Sequence, residues 1–285
     1  LDTVHEAKLA KLLEFLMCLV QPNGEAPLTG DEDGGRLHFF DDRGIADLRP
    51  TLSVGAAVFN DGRLKFASGD ASVELLWLMG PAGLAAFDAL NRVPMRETAR
   101  AFQESGVYVV RDSANFVVID CGQHGFMNCG HAHADALSFV ASFLGMPVFV
   151  DSGTYTYTAD RNARDYFRSS SAHNCLTVNG SGSAEPDGPF SWKHWPDSKV
   201  LEWNCDDTEV VFRGLHNGYE RFGVEYEREF RIGRSSGVFL IDKVRTNVSN
   251  KFTINFILSP LIEAEMHSDD RVILRAKDGK QDLLA

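Results

Sequence analysis

The sequence has no uninterrupted apolar run of about 18 residues, the length a bilayer-spanning helix needs. Its greasiest stretches, around Leu12–Val20 and Val140–Val150, stop well short. Positive charge is also scarce: 28 Lys and Arg stand against 40 Asp and Glu, a formal charge of −12. No basic stripe interrupts that balance. Nucleic acid is therefore not an expected partner, because its binders draw much of their affinity from neutralising phosphates. A membrane is not an expected partner either, and any anionic ligand must find a local cationic site. Cysteine is sparse and odd in number: Cys18, Cys121, Cys129, Cys175 and Cys205, with no C-x-x-C pair. That excludes zinc-finger spacing, argues against a disulfide framework, and leaves most of the thiols as small core residues. Internal repeats, low-complexity tracts and coiled-coil heptads are absent too.

What remains is ordinary globular composition, 44% hydrophobic and 24% charged, with 20 Phe, 4 Trp and 6 Tyr to fill a core. At 285 residues the chain is long enough for about two domains. Leu9, Leu12, Leu13, Leu16, Leu19 and Val20 recur at helical spacing, which predicts a helix over Val4–Val20, stopped by Pro22-Asn23-Gly24. Gly30-Asp31-Glu32-Asp33-Gly34-Gly35-Arg36 lacks the alternating ligands and distal Glu of an EF-hand and reads as an acidic glycine turn. Helical texture returns from Asp47 to about Asn91, in segments broken by Gly and Pro. From about Glu97 onward come short runs rich in Val, Ile, Phe and Tyr. They are Tyr108–Val110, Phe116–Ile119, Leu137–Phe143, Val148–Val150, Val210–Phe212, Tyr226–Ile232, Val238–Ile241, Phe252–Leu258 and Val272–Leu274. Gly, Asn, Asp and Ser clusters separate them at sandwich-like intervals. The expected fold class is α+β, with a helical segment over 1–95 and a large antiparallel β-domain over 96–285. The chain starts at a Leu that leads straight into a helix and ends within β-texture, so both ends are expected to be cut from a longer protein; no signal peptide is visible.

Chemistry concentrates in Gly130-His131-Ala132-His133-Ala134-Asp135-Ala136-Leu137-Ser138-Phe139. On a strand His131, His133 and Asp135 would share one face, continued by Leu137 and Phe139. Imidazoles and a carboxylate at the mouth of an apolar face suit a divalent metal. Val150-Asp151 and Ala172-His173-Asn174 add two more candidate ligands. A tight turn at Leu144-Gly145 would set Asp151 opposite Ser138 and leave His133 about 16 Å away along the strand. Either the chain bulges back, or Asp135 is the ligand. Arg161, Arg164 and Arg168 fall on one face if their segment is helical, offering a carboxylate or sulfate bidentate pairing, or pairing locally with Asp160 and Asp165.

These pieces in this order, with Val150–Tyr157, Arg164–Ser169, the early Gly30–Arg36 and the later Leu215-His216-Asn217-Gly218-Tyr219, resemble the heparinase II/III-like family of polysaccharide lyases. The resemblance spans about Pro22–Val244. It implies a remnant of an α/α toroid helical domain followed by an antiparallel β-sandwich. It also implies one structural zinc ion held by His133, Asp151 and His173, which requires the chain to bulge back, with His131 as the active-site histidine. Tyr155 and Arg168 become the candidate substrate contacts. The implied substrate is a uronate-containing polysaccharide, alginate or glycosaminoglycan, and the implied place is the periplasm or outside the cell. Cleavage would be a β-elimination in which the uronate carboxylate is neutralised, a base takes the C5 proton and O4 leaves with acid assistance. The family's catalytic Tyr and its carboxylate-neutralising Asn or His would lie upstream of Leu1. Indeed Val4–Asn91 contains only His5 and His38 and no Tyr. Two other readings remain: a non-catalytic carbohydrate-binding sandwich stabilised by metal, and a cupin-like oxygenase, disfavoured because no Glu follows H-x-H at the needed spacing.

Overall fold

The computed structural model describes residues 3–32, 35, 38–95, 98–112, 114–233, 237–277 and 282–284. It divides into two compact units. The first comprises residues 1–27, 33–98 and 112–114. Its helices are α1 (Thr3–Leu19), α2 (Arg49–Phe59), α3 (Gly62–Ser68) and α4 (Val73–Ala89). The predicted helix at Val4–Val20 is α1, whereas the helical texture from Asp47 to Asn91 resolves into three helices. Local chemistry accounts for the breaks. Asn60 takes the left-handed cap of α2, and the Asp61 and Ser72 side chains accept from Arg63 N and Leu75 N to start α3 and α4. Gly80-Pro81 kinks α4, since proline lacks the N–H that would continue the ladder. Leu13, Met17, Leu52, Ala56, Leu64, Leu75 and Phe87 form the core of this unit. At Gly55 a Cβ would sit 2.8 Å from Leu13 Cδ1, so any larger residue there would require the Leu13 side chain to shift.

The second unit comprises residues 28–32, 99–111 and 115–285. Its first sheet is a five-stranded meander of β1 (Thr98–Phe102), β2 (Val107–Arg111), β3 (Phe116–Asp120), β4 (Phe139–Phe143) and β5 (Met146–Phe149). After α5 (Arg161–Phe167) come β6 (Leu176–Val178) and the short β7 (Glu185–Pro186) and β8 (Trp192–His194). A second antiparallel sheet follows: β9 (Ser198–Cys205), β10 (Glu209–His216), β11 (Val224–Gly233) and β12 (Gly237–Thr246). Then β13 (Phe252–Ile254) pairs with β6, and β14 (Ile262–Ser268), β15 (Arg271–Ala276) and β16 (Asp282–Leu284) make a third sheet. The two large sheets enclose one core, in which Tyr108, Val117, Ile119, Leu137 and Phe139 meet Phe212, Tyr226 and Phe230. This is the antiparallel sandwich that the strand spacing predicts.

Alternation along β11 explains the layering. Val224, Tyr226, Arg228 and Phe230 point inward, while Glu225, Glu227 and Glu229 take the other face. Glu227 and Glu229 pair there with Lys243 of β12 at 3.1 and 2.7 Å. Arg228 is a charge on the core side and is fully engaged. Its Nε and Nη2 donate to Asp242 at 2.7 and 3.0 Å, and its Nη1 donates to the carbonyls of Leu137 and Asn174 at 2.9 and 2.6 Å. One buried guanidinium thus ties down the segments just after His133 and His173.

The motif Leu215-His216-Asn217-Gly218-Tyr219 has a structural role. His216 is buried, accepts from Gly218 N at 3.1 Å through Nδ1, and packs against Tyr219 and Tyr226. Burial, reinforced by the charges of Arg228 and Arg221, pushes its pKa from 6.5 down to about 3. The unfolded chain binds the proton first, so the neutral imidazole contributes stability that is complete above pH 6.5 and lost as pH falls toward 3. His216→Asn keeps an acceptor for Gly218 N. Its stability should fall less steeply through that window, by about 1.4 kcal/mol per pH unit. Urea midpoints measured against pH check this, and an unchanged slope would contradict it.

Candidate metal centre and the histidine beside it

Residues 131–138 do not form the expected strand. β4 begins only at Phe139, and before it the chain turns back on itself, with Ser138 N donating to Asp135 O at 2.7 Å and Leu137 in the left-handed region at φ 62. Met127, Cys129, Leu137 and Tyr155 are four of the seven non-glycine residues with positive φ among the described residues, and all lie in or beside this site. Such positions cost on the order of 1 kcal/mol or more, so tertiary contacts, not local preference, hold the backbone here. Leu137 is fully buried, its N–H bonds to Asp120 O at 2.9 Å, and its carbonyl takes the Arg228 bond. The shared face proposed for His131, His133 and Asp135 is therefore corrected. The two histidines diverge in burial, and Asp135 stands outside the ligand cluster. The hairpin turn does form at Leu144-Gly145, and a bulge between Ala141 and Ser142 shifts the register of β5.

Asn174 completes the frame. Its Nδ2 donates to the carbonyls of Phe139 and Val150 at 2.6 and 3.1 Å, and its Oδ1 accepts from Ile257 N at 2.6 Å. The residue after His173 is thereby fastened to the residue before Asp151. As a result His133, Asp151 and His173 each offer a ligand atom, all within 4.8 Å of one another. His133 Nδ1 lies 3.1 Å from His173 Nε2, and Asp151 Oδ2 lies 3.2 Å from that same nitrogen.

The outer nitrogens decide what this cluster can hold. His133 Nε2 is 3.0 Å from Asp31 Oδ1, and His173 Nδ1 is 2.7 Å from the Ser169 carbonyl. Carboxylate and carbonyl oxygens only accept, so these outer nitrogens carry the protons. Neutral rings then turn two lone pairs and a carboxylate oxygen toward one point, which is repulsive unless a proton or a cation sits there. A proton meets part of that demand. Burial alone would lower the pKa of His173, but the charge and hydrogen bond of Asp151, with Asp135 behind them, push it up to about 9. Asp151 is held low against its burial by His173. For His133 burial dominates and lowers the pKa, against the hydrogen bond to Asp31. Burial also pushes the Asp120 and Asp135 carboxyls upward, and the charge of Asp120 adds to the effect at Asp135. A divalent cation meets the demand in full. Ligand atoms around a tetrahedral zinc lie about 3.3 Å apart, close to the spacings found, and two His with one carboxylate leave a fourth position open. The residues present fit the metal.

His131 is different. Its side chain is 74% exposed, and its Nδ1 lies 3.1 Å from Oδ2 of Asp31, whose own side chain is 0% exposed. Tyr157 and Phe190 flank the ring at centroid distances of 6.1 and 5.8 Å. Tyr155 is exposed and stacks on Phe167 at 4.8 Å. The arginines separate. Arg161 is exposed and pairs with Asp165, whereas Arg164 and Arg168 are fully buried. Arg168 reaches Asp165 at 2.7 Å and the carbonyls of Gly188, Pro189 and Ser191, and it stacks over Trp192. Its expected role as a substrate contact is corrected: the guanidinium is consumed in holding the 188–192 segment and presents nothing to solvent.

A profile of the heparinase II/III-like C-terminal domain matches residues 94–284, two thirds of the chain. The chain belongs to the heparinase II/III-like family. Among solved structures it is similar to heparan sulfate lyase HepC from Pedobacter heparinus, at 15% identity and a TM-score of 0.72 over 98% of this chain and 39% of that one. It is also similar to a heparinase III, at 18% identity and a TM-score of 0.70 over 97% of this chain and 40% of that one. No curated protein matches. The chain thus spans about two fifths of the length of these structures, and at such identities the likeness is one of fold. His131, His133, Asp151 and His173 all fall inside the segment matched to the heparinase II/III-like domain. Asp31 does not, and sequence reading missed it. The Gly30–Arg36 turn enters the sequence reading as an acidic glycine loop and as one piece of the family resemblance, with no role for Asp31; Asp33, Gly34 and Arg36 lie outside the described residues. The available signal was Gly30 itself. It takes φ 54, and a Cβ there would sit 2.8 Å from the His131 carbonyl, which accepts from Asp31 N at 3.0 Å.

Proposed function

We propose that this chain carries the metal-braced histidine of a polysaccharide lyase that cleaves uronate-containing chains by β-elimination. The observation that carries the reading is an exposed imidazole oriented by a fully buried carboxylate, beside three residues whose donor atoms converge. A hydrogen bond from His131 Nδ1 leaves Nε2 as the nitrogen that faces incoming substrate and exchanges a proton with it. Tyr157 and Phe190 wall the ring, and exposed Tyr155 offers an apolar face to a sugar. Zinc, held by His133, Asp151 and His173, supplies a structural cross-link between three segments far apart in sequence. His131 takes part in the proton transfer beside the reacting sugar. The base and the carboxylate-neutralising group come from upstream of Leu1, and the enzyme works in the periplasm or outside the cell.

The test is a panel of uronate polymers read by the ultraviolet absorbance of the unsaturated uronate product. The full-length protein should produce it, and residues 1–285 alone should be at least about a hundredfold slower, the scale of losing a proton-transfer base. At a formal charge of −12, alginate-like or weakly sulfated polymers should be better substrates than heparin, since a net acidic surface repels densely sulfated chains. Heparin as the best substrate would refute the charge argument. No product from any polymer would refute the lyase reading in favour of a metal-stabilised carbohydrate-binding sandwich.

A further inference from the structure

Asp31 is 100 residues away from His131 in sequence and outside the matched domain, yet its two oxygens serve both halves of the site. Oδ2 meets His131 Nδ1 at 3.1 Å and Oδ1 meets His133 Nε2 at 3.0 Å. Behind it lies Arg164, fully buried, whose Nη1 and Nη2 grip the same two oxygens, the second at 2.7 Å. Arg164 is itself fixed by Pro189 O at 3.0 Å and Gly130 O at 3.4 Å, and it lies against the rings of Tyr157 and Phe190. The clamp therefore spans α5, the 28–32 segment and the backbone immediately before His131. Arginine suits it because the planar fork pairs both oxygens at once and leaves each oxygen a further lone pair for an imidazole.

We infer that Asp31, held by Arg164, is the positioning residue that sets opposite ring tautomers on His131 and His133, so that one nitrogen is released toward substrate and the other toward the metal. A neutral imidazole has one N–H, and a buried carboxylate fixes where that proton stays. On His131 the proton is kept on Nδ1, so Nε2 presents its lone pair outward, where it can exchange a proton. On His133 it is kept on Nε2, so Nδ1 presents its lone pair to His173 and Asp151. The two guanidinium N–H groups of Arg164 and the two imidazoles gathered around its oxygens favour the ionised carboxylate. A single carboxylate thus joins the reactive histidine to the metal cluster without touching the metal, the arrangement by which an outer partner orients a metal-ligating imidazole.

This assignment deepens the lyase reading but is tested apart from it. Nitrogen-15 spectra of histidine-labelled, metal-free full-length protein at neutral pH should show His131 with its proton on Nδ1 and His133 with its proton on Nε2; the reverse tautomer at either ring overturns the inference without any variant. In Asp31→Asn, whose amide cannot accept from both rings, both tautomer signals should become mixed, and zinc affinity should fall about 10–100-fold. If a product-forming substrate is found, kcat should drop by a similar factor with KM little changed. Adding Asp31→Asn to His131→Ala should then lower kcat no further, because the two act as one unit. Unchanged tautomers and zinc affinity, or fully additive losses in kcat, would overturn the role. A complete lack of lyase activity with the tautomers as stated would remove the lyase reading and leave this positioning intact.

Discussion

His133→Ala, Asp151→Ala and His173→Ala should each abolish stoichiometric zinc binding in the full-length protein and lower its melting temperature by roughly 8–16 °C. The size follows from mass action. A ligand a thousandfold above its dissociation constant stabilises the folded state by about 4 kcal/mol, and for a domain of this size each 1 kcal/mol moves the midpoint by about 2–4 °C. Among the described residues each supplies one of three converging donors, and each sits on a different segment: the turn before β4, the end of β5, and the link between α5 and β6. Losing one therefore removes a ligand and also frees a loop. Removing a buried imidazole leaves a cavity as well, so melting alone would not isolate the metal. The separating measurement is a chelator. It should lower the midpoint of the wild-type protein to near that of the variants and leave the variants unmoved. Asp135→Ala is the control, since Asp135 stands outside the cluster and should leave zinc bound. Full zinc content in all three variants, or zinc loss only in Asp135→Ala, would end the assignment.

If the full-length protein acts as the proposed lyase, His131→Ala should lower its turnover by about 10²–10⁴, the range for losing a general acid or base. It should leave zinc content and melting temperature close to wild type. The contrast with the metal ligands is the informative part. His131 is two residues from His133, but its side chain is 74% exposed and its ring hydrogen-bonds to Asp31, not into the cluster. Truncating an exposed ring removes little buried surface, so stability should scarcely change. Asp31 keeps the bonds of His133 and Arg164 and is not left as an unpaired buried charge. Product formation measured across substrate concentrations, with zinc content on the same samples, decides it. Near-normal kcat would mean that another group moves the proton and that His131 only lines the cleft.

The sequence alone settled matters of composition and period. Helical spacing placed α1, and short runs rich in Val, Ile, Phe and Tyr placed the centres of β2, β3, β10, β11, β12 and β15, because such residues suit a buried extended chain. Gly and Pro marked the kink in α4 and the hairpin at Leu144-Gly145, where backbone chemistry acts locally. Order and spacing of short motifs pointed to the family, and it was that resemblance that implied His133, Asp151 and His173. Period failed where the backbone is held against its own preference. The alternation from His131 to Phe139 reads as a strand, but Leu137 is left-handed, and Arg228 and Asp120, which hold it there, come from β11 and β3. The run Phe252–Leu258 likewise yields strand only over Phe252–Ile254. Arg168 looked like a free cation because a sequence shows charge but not the carbonyls that will surround it. Asp31 was invisible for the same reason. Its partners lie 100, 102 and 133 residues away, and only the folded chain brings a carboxylate, two imidazoles and a guanidinium within hydrogen-bond reach. Local period and turn chemistry are written in neighbouring residues. Which buried charge meets which imidazole is settled by tertiary packing, since the cost of burying Asp31 is offset only when Arg164 and both histidines arrive together.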